Sequence, residues 1–325
     1  MKARIAATGS AVPRRVLRNA DLERMVATSD DWIVERTGIR ERRVVDEGVA
    51  SSDLGTDASR AALAAGGWDA ADLDLLLVAT CTPDMPLPST ACLIQRNLKA
   101  SRAIAFDLAA ACSGFLYGLS VADLYVRSGT CRKALVVGTE VMSSMIDWTD
   151  RGTCILFGDG AGAVLIEPSD DERGILSTHL HSDGDLWDLV CVPGGGSRLP
   201  ASAAMLADRQ QFVKMKGNET FKVAVRTLEA TAREALEANK LDVDDVDLFI
   251  PHQANVRIVK AVMERLGMKK ERVVLNIDRY GNTSAASIPL ALDEAVRAGR
   301  VVPGSRILMV AFGSGLTWAS AVVKW

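Results

Sequence analysis

The sequence lacks a long hydrophobic run, although 48% of its 325 residues are hydrophobic. The longest apolar stretches, such as LDLLLVAT and ILMVAF, have the length of β-strands and fall well short of a membrane span. The basic start MKARIAATGSAVPRR reaches glycine, proline and two arginines before any apolar segment is long enough for a signal peptide. We therefore expect a cytoplasmic protein that is large enough to bury a sizeable core.

An excess of charge of one sign is also absent. The 38 Lys and Arg residues nearly balance the 41 Asp and Glu residues, and the formal net charge is -3. This balance argues against a chain-wide role in binding polyanions. Neither a CxxC pair nor a zinc spacing occurs among the six cysteines, which suits reduced thiols in a cytosol. The cysteines are Cys81, Cys92, Cys112, Cys131, Cys154 and Cys191.

An internal repeat is present. Residues 60–75 read RAALAAGGWDAADLDL and residues 233–248 read REALEANKLDVDDVDL, with eight of sixteen positions identical. Both copies predict a helix, an Asp-rich turn and a buried strand. Further on, VRSG at 126–129 matches VRAG at 296–299, 170 residues later. The pattern indicates a duplication with halves 1–172 and 173–325.

The same 170-residue separation relates Cys112 to Asn282. Each stands at the head of a predicted helix that is apolar on nearly every face, and such helices belong in the centre of a protein. Strands that alternate with helices predict an α/β fold with sheets in layers and helices between and outside them. We therefore expect the two halves to pack their buried helices against each other.

Cys112 is the candidate nucleophile. At the start of a helix, unpaired N–H groups and the helix dipole favour thiolate, so we expect a pKa below the free value of about 8.5. The same N–H groups could hold a developing oxyanion, and both effects suggest covalent acyl transfer. The alternative is a buried, inert cysteine, which is the commoner situation.

The chain contains only three histidines. His179 and His181, in THLHSDGD, could suggest a metal, but a half-exposed strand that runs into a turn is the better interpretation. His252 ends the buried strand in DLFIPHQANVR, a usual place for ligands in α/β folds, although a satisfied core histidine is the alternative. Asn282 is either a helix cap or a neutral amide donor. Cys112, His252 and Asn282 together form a nucleophile with two hydrogen-bond donors.

The glycine-rich stretch FGDGAG at 157–162 invites a nucleotide-binding interpretation. It lacks the G-x-G-x-x-G spacing, and the strand AVLIEP follows it where that motif needs a helix. We expect a tight hairpin here. A non-catalytic or redox α/β protein that binds a nucleotide at this turn remains the alternative from a different functional class.

Longer motifs carry a family resemblance along essentially the whole chain: TGSAVP, TSDDWIVERTGIRERR, AAACSGF, DRGTCILFGDGAGA, KGNETFKVAV, PHQANVRI, YGNTSAAS and AFGSGLTWASAVVKW. In these motifs the sequence resembles β-ketoacyl-ACP synthase III, a condensing enzyme of the thiolase-like superfamily that starts bacterial fatty-acid synthesis. The resemblance implies a thiolase-like α/β fold, in which duplicated halves form a five-layered α-β-α-β-α sandwich, and a homodimer.

The resemblance also implies the roles of the candidate residues. Cys112 takes a short acyl group from coenzyme A, which is a substrate rather than a cofactor. His252 and Asn282 then hold the thioester oxygen while malonyl-ACP loses CO2, and the resulting carbanion attacks the acyl group to give 3-oxoacyl-ACP. The backbone N–H groups of Cys112 and Ser314 form the oxyanion hole. Ser314 lies in Gly-Ser-Gly, where the family has three glycines.

Four residues match the family's coenzyme A site. Trp32 and Arg151 stack on the adenine, Arg36 contacts phosphate and Asn218 lies near the pantetheine arm. Guanidinium groups stack well on indole rings. Without the resemblance, Trp32 would be a core or interface aromatic.

Three basic residues, Lys222, Arg257 and Arg265, match or extend the family's dock for acidic ACP. Glu264 stands where relatives can have another base, which weakens the patch. Leu87, in MPLPST, matches the residue that closes the partner's acyl pocket across the dimer, and its size predicts short straight or branched primers. A starter-unit ketosynthase or acyltransferase of secondary metabolism, with the same fold and nucleophile, is the nearest alternative function.

Overall fold

The computed structural model describes residues 2–325, in which strands alternate with helices. The strands are β1 (Lys2–Ala11), β2 (Val16–Arg18), β3 (Glu41–Arg43), β4 (Leu75–Ala79), β5 (Ile104–Leu108), β6 (Ala134–Val141), β7 (Asp159–Ser169), β8 (Gly174–Ser182), β9 (Val190–Cys191), β10 (Lys214–Met215), β11 (Leu248–Pro251), β12 (Arg306–Gly313) and β13 (Thr317–Lys324). The α-helices are α1 (Asn19–Leu22), α2 (Asp30–Thr37), α3 (Ser51–Gly66), α4 (Thr90–Leu98), α5 (Gly114–Arg127), α6 (Arg151–Cys154), α7 (Ala203–Ala207), α8 (Gly217–Ala238), α9 (Val256–Leu266), α10 (Ile277–Tyr280) and α11 (Ser287–Arg297). Short 3-10 helices cover Ala70–Asp72, Ala111–Ser113, Met142–Met145, Gly184–Leu189, Val243–Asp245, Lys270–Arg272 and Ser284–Ala286.

The two main sheets share one topology. The first has the order β1-β7-β6-β4-β5 and the second the order β11-β12-β13-β8. In each sheet one matching pair is parallel, β4 with β6 and β11 with β12, and the next two strands along the sheet run antiparallel. The first sheet adds β5, which is parallel to β4. Strands β4, β6, β7 and β1 therefore correspond in order and direction to β11, β12, β13 and β8. The correspondence supports the duplication that the sequence repeat indicates.

The elements form five layers. Helices α3 and α4 cover the outer face of the first sheet, and α8 and α9 cover that of the second. Helices α5 and α11 lie between the sheets in a core to which both sheets contribute side chains. Strand β4 is continuously apolar because both of its faces are buried: Leu75 and Leu77 lie in this central core, whereas Leu76 and Val78 lie in the outer core beneath α3 and α4. The layering agrees with the predicted α-β-α-β-α sandwich.

The glycine-rich stretch after Phe157 is not the predicted hairpin. Strand β7 runs without a break from Asp159 to Ser169, so these glycines lie within a central strand. A Cβ at Gly162 would come within 2.7 Å of the backbone nitrogen of Leu290 in α11. Glycine is therefore needed for close helix-to-sheet packing, not for a turn.

Helix α9 shows how local sequence fixes an element near the site. The side chain of Asn255 accepts a hydrogen bond from the backbone N–H of Arg257 at 2.8 Å, and this caps the first turn. Gly267 ends the helix with a φ of 71°, which suits glycine. The buried face of the helix packs against α8 through Ile258, Val259 and Val262.

Three further observations bear on the protein class. Within residues 2–325, every helix is too short or too polar to cross a membrane. The same part of the chain contains no group of three or more His, Cys, Asp or Glu residues that could hold a metal ion. All six cysteines are free thiols.

Candidate active site

Residues from both halves line one cavity of about 890 Å³. Cys112 reaches it from the first half, and His252 and Asn282 reach it from the second. The three residues that the sequence singled out are thus brought to the same cavity by the packing of α5, β11 and α11. A cavity of this size accommodates an extended small ligand.

Cys112 lies in the 3-10 turn that runs directly into α5. The turn is entered through Ala111, whose φ of 45° is a strained value for a residue with a Cβ. The predicted low pKa is wrong for this structure: burial raises the pKa of the Cys112 thiol to about 12, and nearby Glu140 raises it as well, while the Ser284 hydroxyl lowers it. Desolvation outweighs the helix start, so the resting side chain is a thiol.

His252 follows β11, and its backbone N–H donates to the carbonyl of Val310 at 2.8 Å. The residue is 2% exposed, and burial lowers its pKa to about 3, so the ring is neutral near pH 7. Nδ1 lies 2.6 Å from the Ser287 hydroxyl. When that hydroxyl donates to Nδ1, Nε2 carries the ring proton and becomes a donor.

Asn282 is fixed by its backbone and by its side chain. Its N–H donates to the carbonyl of Leu156 at 2.8 Å, and its own carbonyl accepts from Gly158 at 3.1 Å. Side-chain Oδ1 accepts a hydrogen bond from the backbone N–H of Ser284 at 2.8 Å. With Oδ1 so engaged, the amide NH2 is the group left to act as a donor. The local capping role and the donor role are thus compatible.

The Gly-Ser-Gly turn passes directly beside Cys112. A Cβ at Gly313 would lie 2.7 Å from the backbone nitrogen of Cys112, so this position requires glycine. The left-handed side of backbone space is taken by Gly315, with φ 121°, and not by Ser314. The Ser314 hydroxyl donates to the carbonyl of Val190. A serine in place of the family's middle glycine therefore fits without backbone strain.

Three of the four residues assigned to coenzyme A line the cavity, and the fourth, Arg151, contacts one of them. The three that line it are Trp32, Arg36 and Asn218. The guanidinium carbons of Arg36 and Arg151 lie 4.4 Å and 4.6 Å from the centroid of the Trp32 ring. Arg151 also donates to the carbonyl of Ala27 at 2.9 Å. Because Arg151 lies directly on Trp32, a base could enter between them only if the two planes separated.

The basic residues assigned to ACP divide into two groups. Lys222 on α8 and Arg257 on α9 line the cavity, and Arg257 lies 5.5 Å from the centroid of Phe221. Arg265 lies outside the cavity lining and pairs with Glu229 at 3.1 Å. The structure therefore places two of the three basic residues at the cavity and engages the third elsewhere.

Leu87 does not line the cavity of its own chain and is 85% exposed. His179 and His181 lie on β8, where both contact Glu234, with His181 Nε2 2.7 Å from Glu234 Oε2. The His181 ring stacks on Trp318. These two histidines thus lie on a half-exposed strand and outside the cavity lining, as their sequence context suggested.

Comparison with known proteins decides the family. The family model described as 3-oxoacyl-[acyl-carrier-protein (ACP)] synthase III matches residues 106–184, and the one for its C-terminal part matches residues 236–325. The chain is 55% identical over 323 residues to the beta-ketoacyl-[acyl-carrier-protein] synthase III of Roseiflexus castenholzii, covering 99% of this chain and 98% of the relative. The chain belongs to this family.

Solved structures agree with the assignment. The 3-oxoacyl-[acyl-carrier-protein] synthase III of Aquifex aeolicus superposes with a TM-score of 0.92 at 46% identity, over 99% of this chain and 100% of that one. A priming β-ketosynthase from the R1128 polyketide pathway superposes with a TM-score of 0.92 at 38% identity, over 99% and 96%. The predicted family, its thiolase-like fold and its status as an acyltransferase of the condensing-enzyme class are confirmed.

Sequence reasoning missed three residues of this synthase site. Ser287 contacts His252, Ser284 holds Asn282, and Glu140 accepts hydrogen bonds from Ser284 and its neighbours. A signal for Glu140 existed: it is the one charged residue in the otherwise uncharged strand segment ALVVGTEV. A charge at such a position needs a reason. The two serines carry no comparable signal.

Proposed function

We propose that this chain joins a short acyl group from acyl-CoA to malonyl-ACP by decarboxylative Claisen condensation, giving the 3-oxoacyl-ACP that begins fatty-acid synthesis. The observation that carries the proposal is the convergence of Cys112, His252 and Asn282 on one cavity with a donor-rich turn at Ser314. Family membership indicates the class of reaction. The residues at the cavity are suited to both half-reactions, acylation of the cysteine and condensation.

In the first half-reaction Cys112 attacks the thioester carbonyl of acyl-CoA. The negative charge that develops on the carbonyl oxygen is held by the backbone N–H groups of Cys112 and Ser314, which lie on adjacent pieces of chain because Gly313 packs against Cys112. Because a small side chain at Ser314 leaves its backbone donor in place, the departure from three glycines is compatible with this role.

In the second half-reaction malonyl-ACP loses CO2. Charge then grows on its thioester oxygen, and a neutral His252 with a protonated Nε2, together with the Asn282 amide, supplies two donors to that oxygen. Fixed donors in a buried site stabilise the transition state more than the substrate. The carbanion attacks the acyl group on Cys112, and the product leaves as 3-oxoacyl-ACP. The activated thioesters provide the driving chemistry, so no resident cofactor is part of the proposal.

The remaining residues are assigned to binding of coenzyme A and of ACP. Trp32, Arg36, Arg151 and Asn218 hold the coenzyme A portion, through stacking, phosphate contacts and the pantetheine arm. Lys222 and Arg257 offer a positive rim for acidic ACP, and Arg265 extends it more weakly because Glu229 already pairs with it.

The proposed assembly is a homodimer. Strand β5 forms the edge of the first sheet, and Ile104 at its start is 54% exposed. An open edge with apolar side chains is suited to pairing with a second copy. Such a dimer would allow the exposed Leu87 to reach the acyl pocket of the other copy, where its size suits short straight or branched primers.

Domain boundaries and location complete the proposal. The halves 1–172 and 173–325 are treated as duplicated thiolase-like units, which is supported by the matching order of the two sheets. A cytoplasmic location is supported by six free thiols, since a reducing compartment keeps cysteines unpaired.

The competing function is that of a starter-unit ketosynthase in secondary metabolism. It is supported by the 38% identity to the R1128 priming enzyme, but relatives at 55% identity are named beta-ketoacyl-[acyl-carrier-protein] synthase III. The two functions share Cys112 chemistry, so only the range of primers and the fate of the product distinguish them. A panel of acyl-CoA primers of increasing length and branching, each supplied with malonyl-ACP, separates them.

Intact-mass analysis tests the proposed function. After incubation with acetyl-CoA, the protein should gain one acetyl group, and Cys112→Ser should abolish the gain while Cys154→Ser, at a buried thiol elsewhere, should not. Malonyl-ACP should then discharge the acetyl group with release of CO2 and formation of 3-oxoacyl-ACP. Absence of an adduct with every short acyl-CoA, or an adduct that malonyl-ACP does not discharge, would rule the proposal out.

A further inference from the structure

A buried arginine has no part in the steps above. Arg42 on β3 is 0% exposed, although a guanidinium group keeps its positive charge in proteins. Glu41, the acid beside it in the sequence, pairs with Arg18 and Arg43 instead, and no other acid among residues 2–325 forms an ion pair with Arg42. A charge that is buried without an opposite charge costs stability, so its presence here calls for a function.

Three neutral oxygens bind the guanidinium of Arg42. Nη1 donates to the side-chain oxygen of Asn19 at 2.8 Å and to the carbonyl of Leu17 at 3.3 Å. On the other side of the group, Nη2 donates to the carbonyl of Ile155 at 2.7 Å. Because the guanidinium is planar and rigid, it fixes the distance between these partners. Arg42 therefore connects β2 and the start of α1 to the segment that follows α6.

The segment that Arg42 binds is also the one that fixes Asn282. The backbone N–H of Asn282 donates to the carbonyl of Leu156 at 2.8 Å, and its carbonyl accepts from the N–H of Gly158 at 3.1 Å. The Ile155 carbonyl that Arg42 binds lies one residue before this pairing. Ile155, Leu156 and Asn282 all line the cavity. A shift of the Ile155 carbonyl would thus be passed on to the backbone of Asn282.

The side-chain stem of Arg42 packs against both partners of this pairing. A Cβ at Gly158 would lie 3.0 Å from the Cβ of Arg42, and a Cβ at Gly281 would lie 3.4 Å from it. Gly281 directly precedes Asn282 and has a φ of 65°, which suits glycine. The two glycines therefore let Arg42 contact the chain on either side of the pairing that holds Asn282.

We propose that Arg42 is a positioning residue that aims the Asn282 amide at the thioester oxygen of malonyl-ACP, by binding the Ile155 carbonyl and packing on Gly158 and Gly281. The proposal rests on the proposed function, in which Asn282 is a donor in decarboxylation. Arg42 does not line the cavity, so it acts on the substrate only through Asn282. The step that uses the Asn282 amide should therefore depend on Arg42, and the step that uses the Cys112 thiol should not.

Single-turnover rates of the two half-reactions test the proposal. Arg42→Met keeps much of the side-chain length but donates no hydrogen bond. Its CO2 release from malonyl-ACP should fall by about tenfold or more, while its acetylation by acetyl-CoA stays within about threefold of wild type. Arg42→Lys keeps the charge and one donor group, so it should retain more of the CO2 release than Arg42→Met. An unchanged CO2 release, or an equal fall in both rates, would overturn the proposal, whereas a wild-type protein that is not acetylated would overturn the proposed function.

A double-mutant cycle tests whether Arg42 acts through Asn282. If Arg42 only places the Asn282 amide, its substitution should add nothing once that amide has been removed. The variant with both Arg42→Met and Asn282→Ala should therefore release CO2 within about twofold of the rate of Asn282→Ala alone. A further fall as large as the one that Arg42→Met causes in the wild-type background would show an independent effect and overturn the proposal. If Arg42→Met fails to fold, Arg42→Lys takes its place in the same cycle.

Leu22→Ala is the control for a general loss of stability. Leu22 is fully buried in the same apolar cluster as Ile155, and it makes none of the hydrogen bonds of Arg42. Its truncation should therefore lower the free energy of unfolding, which urea titration measures for each variant. The ratio of CO2 release to acetylation should stay at the wild-type value in Leu22→Ala. A change in this ratio as large as that in Arg42→Met would mean that destabilisation alone explains the effect, and the proposal would be wrong.

Discussion

The two central helices begin in matching ways but carry different chemistry. The chain enters α5 through the 3-10 turn Ala111–Ser113 and enters α11 through Ser284–Ala286. Cys112, in the first of these turns, can form a covalent bond with an acyl group, whereas Asn282, just before the second, can form only hydrogen bonds. The duplicated fold thus sets the positions of these side chains. Their residue types assign the acylation step to the first half of the chain and the decarboxylation step to the second half.

The strands show the same division. His252 follows β11, and the repeat places Ala79, at the end of β4, in the matching position. Conversely, Glu140 stands in β6, whereas β12 contains no acidic residue. Each half therefore departs from its counterpart at the cavity, and elsewhere the two sheets keep the same order. Differences between the copies locate function better than their similarities do.

The largest loss of activity is expected on substitution of Cys112, which lies in the first half of the chain. Cys112→Ala should reduce condensation by at least about 10⁴-fold, because a covalent step loses its nucleophile. Steady-state formation of 3-oxoacyl-ACP measures it. Cys81→Ala, which removes one of the two other thiols that line the cavity, should still gain an acetyl group. If Cys112→Ala still gained an acetyl group and Cys81→Ala did not, Cys81 rather than Cys112 would be the nucleophile.

Substitutions of His252 and Asn282, in the second half of the chain, should slow only the decarboxylation step. His252→Ala should leave acetylation nearly unchanged and slow CO2 release by about 10²–10³-fold, the usual cost of one lost oxyanion donor. Single-turnover assays with each substrate separate the two rates. If acetylation fell as steeply as CO2 release, the division of labour between the halves would be wrong.

The burial of His252 also predicts a pH dependence of stability. Its pKa is about 3 in the folded chain and 6.5 when exposed, so the unfolded state binds more protons in between and the folded state loses stability as the pH falls below 6.5. From pH 7 to pH 5 this group should cost about 2 kcal/mol of unfolding free energy. Urea unfolding of wild type and His252→Asn measures the difference, with His181→Asn as the matched control. Equal pH slopes for wild type and His252→Asn would contradict the burial.

The smallest effect is expected at the outer end of the cavity. Trp32→Ala should raise the KM for acyl-CoA about fivefold, because one stacking contact contributes on the order of 1 kcal/mol, and should leave kcat nearly unchanged. Trp187→Ala, at an exposed indole outside the cavity lining, is the control. A change in kcat without a change in KM would contradict the assignment of Trp32 to the coenzyme A site.

Much of this arrangement could be predicted from the sequence, because duplication is visible in it. The repeat of helix, turn and strand gave the α/β layers, and the 170-residue separation related Cys112 to Asn282. The position of His252 followed from the end of a buried strand. These features depend on periodicity and order along the chain, which a single sequence displays directly.

What the sequence could not show depends on contacts between distant segments. The pKa of Cys112 is governed by how deeply the neighbouring elements bury it, and that burial reversed the shift expected from the helix start alone. The glycines of β7 resemble a turn in sequence, yet they lie within a strand, and Gly162 faces the backbone of α11. Ser284 donates a hydrogen bond to Glu140 only because folding brings together two residues that are 144 positions apart.

The central claim is that a neutral amide from the second half stabilises negative charge while a thiol from the first half holds the acyl group. Asn282→Asp tests it most directly, because the aspartate keeps the size of the side chain and an acceptor for the Ser284 N–H but replaces the donor with a charge. In single turnovers, acetylation of this variant should stay within about threefold of wild type, and CO2 release from malonyl-ACP should fall by about 10³-fold, further than in Asn282→Ala. Release of CO2 by the aspartate variant as fast as by Asn282→Ala, or a parallel collapse of acetylation, would contradict the account.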